Sequence, residues 1–215
     1  MNDDNGLPEP ELAQVPNPFI ERVATEEKKE SQHALVPFDI EKGFQPVDSE
    51  QMRRLAQWLI KSKIVPSSFK DEAQIIACWG QAGELGLRPM QALRSLYVVQ
   101  GNIGMRANGK LALVEGRGLL ADTPKVEYSG EGDEMSCRVT VRRKGRKSSH
   151  SVSFSIRQAK LAGLLQRGGA WLTYPERMLY ARALSFALDD VFPDVLRGMK
   201  SVEELQDYPA EANNK

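Results

Sequence analysis

Ten residues near the middle of the chain, EMSCRVTVRR from Glu134 to Arg143, alternate between two characters. Met135, Cys137, Val139 and Val141 point one way, and Ser136, Arg138, Thr140 and Arg142 the other. A period of two is that of a strand with one dry face and one wet face. Such a strand needs hydrogen-bonding partners at its edges and a cover over its dry face. "KVEYSG" before it and "SSHSVSFSI" after it, joined through "EGDE" and "KGRKS", supply the partners. The spacing therefore predicts a three-stranded meander from Lys125 to Phe154.

Helices supply the cover. "DSEQMRRLAQWLIKSKIV" sets Met52, Leu55, Ala56, Leu59 and Ile60 on one stripe, with Asp48 and Ser49 as candidate caps and Pro66 as a stop. "SSFKDEAQIIACWGQAGELGL" repeats the pattern and can end at Gly86. "PMQALRSL" starts at Pro89, the favoured first helical position. "YVVQGNIGM" reads as a strand hairpin turning at Gln100–Asn102, followed by a helix over "ANGKLALVEGRG" that stops at Gly116 or Gly118. "SIRQAKLAGL" and "YPERMLYARALSFALDDVF", the latter stopping before Pro193, complete the set. The class is α+β: a small antiparallel sheet, hairpin plus three-stranded meander, packed against helices.

Composition sets the ends of this core. Residues 1–45 carry ten acidic side chains against four basic ones and several prolines, and are expected to be a disordered tail. Residues 46–200 form the core domain, and 201–215 a short flexible tail. No apolar run approaches the ~18 residues of a membrane span, and "MNDDNGLPEP" lacks the apolar core of a signal peptide. A cytoplasmic protein is expected. Cys78 and Cys137 stand alone, as buried thiols rather than a metal or redox pair.

"GNIGMRANGKL" comes close to a phosphate-binding loop, with Gly104, Gly109 and Lys110 in register. The position that needs a hydroxyl for magnesium is Leu111, and Gly104 lies inside a strand pattern. A triphosphate site is therefore not expected. Arg106 and Lys110 remain as cations at a helix start, which suits a phosphate of a nucleic-acid backbone.

The net charge is zero, with 29 basic and 29 acidic residues, yet the signs are separated. From Glu134 to Arg182 there are eleven cations against only Glu134 and Glu176. Lys144, Arg146 and Lys147 cluster on one hairpin tip, with Arg138 and Arg142 on the wet face. Trp171, Tyr174 and Tyr180 interleave with Arg167, Arg177 and Arg182. Cations neutralising a backbone beside stacking aromatics suit single strands, with Trp171 the stacking candidate. Catalysis finds little support. The two histidines, His33 and His150, show no metal or triad spacing. Asp189, Asp190 and Asp194 could serve a magnesium-dependent nuclease, although an acidic surface turn at a helix end is the commoner explanation, with Asp194 capping the next stretch of chain. A non-enzymatic phage adaptor, its basic face on a protein partner, is the third reading.

Two longer segments, "ELGLRPMQALRSLYVVQGNIGMRANGKLALVEGRG" and "SFSIRQAKLAGL…WLTYPERMLYARALSFALDDVFPDVLRG", together resemble the phage RecT/Redβ family of single-strand annealing proteins. The likeness runs from about Lys70 to Gly198. It implies an annealing-protein-like core that binds single-stranded DNA and joins complementary strands in phage recombination without ATP. The resemblance implies a recombinase only in the broad sense and not an enzyme. It further implies no cofactor, with magnesium at most assisting annealing, a homo-oligomeric ring or helical filament, and work in the cytoplasm of a bacterial host. A phage exonuclease or a host single-strand-binding protein would be a further partner, although relatives carry a separate recruiting module where this chain has a short tail after about Val202. The groove cations of the family fall on Lys110, Arg177 and Arg182. Arg106, Arg138, Arg142, Arg143 and Lys147 join them as DNA-binding candidates from charge placement. Leu188 stands where relatives often carry an arginine.

Overall fold

A computed structural model describes residues 36–207. Three helices open the core: α1 (Ser49–Ser62), α2 (Glu72–Glu84) and α3 (Pro89–Ser95). Asp48 caps α1, its carboxylate accepting from the Gln51 N–H at 2.7 Å, and Asp71 caps α2 through Gln74 at 2.9 Å. A left-handed Gly86, at φ 68°, follows α2, where a side chain would be strained.

The chain then makes a hairpin from Leu96–Val99 to Asn102–Met105. Its turn is centred on Gln100 and Gly101, with φ of 49° and 78°. Two successive left-handed residues match the twist of the flanking strands. α4 (Ala107–Gly116) leads to the meander of Lys125–Ser129, Ser136–Val141 and His150–Ser155, paired antiparallel in that order. In the central strand Cys137, Val139 and Val141 are buried while Arg138 is exposed, as the alternation requires. Two short helices, α5 (Ile156–Leu161) and α6 (Ala170–Thr173), precede the long α7 (Pro175–Val191). α7 lays Leu179, Ala183, Leu184, Ala187 and Leu188 on the dry face of the sheet. The α+β class read from the sequence is the one observed.

Two apolar cores result. One joins the sheet to α4, α6 and α7; the other joins α1, α2, α3 and the hairpin around Leu55, Leu59, Ile75, Trp79, Leu96 and Met105. Leu113 of α4 packs against both.

Both ends of the described chain are more ordered than composition predicts. Residues 36–45, expected as tail, contain a small antiparallel pair, β1 (Phe38–Asp39) and β2 (Gly43–Phe44). The charges there are outweighed locally by aromatic contacts: Phe44 lies 5.2 Å from Phe38 and 5.7 Å from Trp58, ring centre to ring centre. Numbering the later strands in order, the hairpin is β3–β4 and the meander β5–β6–β7. At the other end, α8 (Pro193–Leu196) leads to a single turn, α9 (Val202–Leu205). Val202 and Leu205 are buried, and the Met105 N–H donates to the Lys200 carbonyl at 3.0 Å. The remaining tail positions, with His33 among them, lie outside the described residues.

Candidate nucleic-acid interface

The near-match to a phosphate loop has a packing explanation. A Cβ on Gly104 would meet Leu205 Cδ1 at 2.5 Å and the Lys200 carbonyl oxygen at 3.2 Å. A Cβ on Gly109 would meet Met105 Cγ at 2.7 Å. The first glycine admits the C-terminal segment, and the second admits the turn of α4 onto β4.

Lys110 is the largest correction to the sequence reading. It is wholly buried rather than facing a groove. Its Nζ donates to both Asp189 oxygens, at 2.9 and 2.8 Å, and to Ser185 Oγ at 3.0 Å. Ser185 in turn donates to Glu204 at 2.9 Å. Burial pushes the Asp189 carboxyl above its ordinary range, against the pull of Lys110. Lys110 shares a helical stripe with Ala107 and Val114, and that stripe faces α7. Arg182 is also buried, ion-paired with Asp207 and donating to the Glu203 carbonyl at 3.1 Å. Trp171, expected to stack on bases, is buried beside Phe154 in the sheet core. These three side chains hold the fold together.

Other candidates are held at the surface by acids. Arg143 donates to both oxygens of Asp194, and the pair holds the Asp194 carboxyl down to about 2. Arg142 donates to Asp122, its Nε at 3.1 Å. Arg138 is exposed and hydrogen-bonded to Ser153, and Lys147 is exposed on the β6–β7 tip with Lys144 and Arg146.

Arg106 and Arg177 come together. Arg106 precedes α4, which has no side-chain cap, and its guanidinium lies 4.8 Å over the Tyr97 ring. Arg177 sits in the first turn of α7. Both are exposed, and neither makes an ion pair with another described residue. They line a cavity of about 340 Å³ with Asn108 and Tyr174. Met178, Ala181 and Val202 give it apolar walls, and Glu203 and Gln206 also line it. Tyr174, 66% exposed, is the aromatic available for stacking here. The sequence places Tyr174 among the cations but favours Trp171. Glu203 and Gln206 escape sequence reading, because composition marks the segment holding them as a tail.

The cations therefore do not form one face. The cavity lies at the N-terminal end of α7. The β6–β7 tip lies at its other end, tied there by Arg143 to Asp194 and by His150 to Asp190 at 2.8 Å. Seventeen residues of α7 separate them, about 25 Å at 1.5 Å per residue. Asp189, Asp190 and Asp194, the nuclease candidates, each face a different basic side chain: Lys110, His150 and Arg143. Among the described residues, no group of three or more His, Cys, Asp or Glu side chains is placed to hold a metal.

No family model matches the chain, and no curated protein matches it in sequence. Among the described residues, no helix is long and apolar enough to cross a membrane.

Proposed function

We propose that this protein binds single-stranded DNA and anneals complementary strands without ATP. One observation carries the reading: two exposed arginines, without acidic partners among the described residues, converge with an exposed tyrosine on one cavity. Backbone phosphates would be neutralised by Arg106 and Arg177, and Tyr174 would stack on a base. Arg138 and the tip cations Lys144, Arg146 and Lys147 would offer a second, separate group of phosphate contacts. Lys110, Arg182 and Trp171 act only by holding the frame.

Base pairing supplies the driving free energy for annealing. Stacking contributes about 1.4 kcal/mol per step, so no hydrolysis is needed. On this reading, copies of the chain act together in the bacterial cytoplasm during phage recombination, as the resemblance to RecT/Redβ proteins suggests.

Salt dependence tests the reading. For single strands the slope of log affinity against log salt is about −0.7 per contacted phosphate. The double variant Arg106→Ala, Arg177→Ala should bind oligonucleotides more weakly and flatten the slope by about 1.4, two contacts' worth. An unchanged slope would place DNA elsewhere. Failure of the wild type to accelerate duplex formation between complementary oligonucleotides would remove annealing.

A further inference from the structure

α7 is covered along most of its length. From Met178 to Asp189 none of its residues is exposed, because the sheet packs on one side of it and α4 and α9 pack on others. Its two ends emerge at two separate cavities. At the N-terminal end lies the cavity of Arg106, Arg177 and Tyr174. At the C-terminal end a smaller one, of about 150 Å³, is lined by Arg143, Arg146, Ser148, Ser149 and His150 of the β6–β7 tip, with Asp190 of α7. Arg143 and His150 are engaged there by Asp194 and Asp190. Arg146 is exposed, as are Lys144 and Lys147 on the same tip, and none of the three makes an ion pair with another described residue. The Ser148 and Ser149 hydroxyls can donate to a phosphate, and among the described residues no aromatic ring lines this second cavity.

We infer that each copy of the chain holds two single strands at once, one at each end of α7. This rests on the single-strand reading above and adds a second strand to it. The two ends lie about 25 Å apart, and the direct path between them is filled by the covered length of α7. One strand serving both ends would have to bend around the outside of the sheet, or around α4 and α9. The two seats also differ in kind. At the first, Tyr174 offers a ring to a base beside the two arginines. At the tip there are only cations and hydroxyls, so the strand there is held by its phosphates and keeps its bases turned outward for pairing. Two strands on one chain meet at the effective concentration of a tethered pair rather than at that of free solution. Annealing is faster for that reason alone, with no step that consumes a nucleotide.

The test counts strands per chain. Native mass spectrometry of the full chain with excess poly-dT 20-mer at low salt gives that ratio whatever the oligomeric state. A 20-mer is long enough to reach both ends of α7, so a strand shared between them would be counted once. The wild type should carry two 20-mers per chain. The variant Arg106→Ala, Arg177→Ala should carry one, and so should Lys144→Ala, Arg146→Ala, Lys147→Ala. All five side chains are exposed, so neither set of changes reaches the core. One 20-mer per wild-type chain overturns the inference and leaves the single-strand reading standing, whether or not the variants fold. Two per chain in either variant places a strand away from the end that was altered, which also overturns it. No bound 20-mer on the wild type overturns both this inference and the single-strand reading.

Discussion

Lys110 carries its charge where no solvent reaches it, and Asp189 and Ser185 make that possible. Removing Lys110 leaves the partly exposed Asp189 carboxylate without its partner, so Lys110→Met should cost about 1–3 kcal/mol in a denaturant melt. The double variant Lys110→Met, Asp189→Leu should recover most of that loss, because an apolar pair of similar volume replaces the ion pair without an orphaned charge. A single variant as stable as wild type would mean that the ion pair is unimportant. The same residue shows the limit of sequence reading at this scale. A lysine one position after Gly109 looks like a phosphate contact, whereas its stripe with Ala107 and Val114 marks it as inward-facing. The stripe is visible in the sequence, but a lone cation on an apolar stripe is read inward only when its acidic partner is known, and Asp189 lies 79 residues away. Arg182 meets the same difficulty, since its partners lie in a segment whose composition suggests no structure.

Elements are far more legible. The alternation in β6, the proline opening α3 and the stop of α7 before Pro193 all appear where local chemistry puts them, because each depends on neighbours in sequence. How elements meet is the part that escapes. Gly104 belongs to the β4–α9 contact, and Gly104→Ala should destabilise the protein by about 1–3 kcal/mol, the usual cost of overfilling a tight contact. A Tm equal to wild type would show that Leu205 and the Lys200 carbonyl yield freely. The β6–β7 tip is tied to α8 by Arg143 and Asp194, which gives that junction an acid sensitivity. The Asp194 carboxyl sits at about 2 in the fold against an ordinary 3.8. Its contribution is therefore complete above pH 4 and is lost as pH falls through about 2. Asp194→Asn should show a shallower fall of Tm between pH 4 and 2 than wild type; parallel curves would show that the pair does not contribute.

At the scale of the whole molecule the feature is charge separation in a neutral chain. Residues 1–35 hold eight acidic and three basic side chains, while the span from Glu134 to Arg182 is strongly basic. If the chain binds DNA as proposed, a tethered acidic segment would compete with it for the same cations. Deleting residues 1–35 while keeping β1 and β2 should raise oligonucleotide affinity severalfold at about 50 mM salt, and the gain should vanish near 0.3 M as screening shortens. Equal affinities at low salt would remove the competition. This polarity is plain in the sequence, but the division of the cations between the two ends of α7 is not, because hydrophobic and charge patterns carry no distances between elements.

The seat that Gly104 offers Leu205 also imposes an order of events during translation. The ribosome adds about 5–20 residues per second, so the hundred or so residues between them take roughly 5–20 s to emerge. Throughout that interval β4 waits with one side uncovered, and a nascent chain is more exposed to proteases and chaperones there than the finished protein ever is.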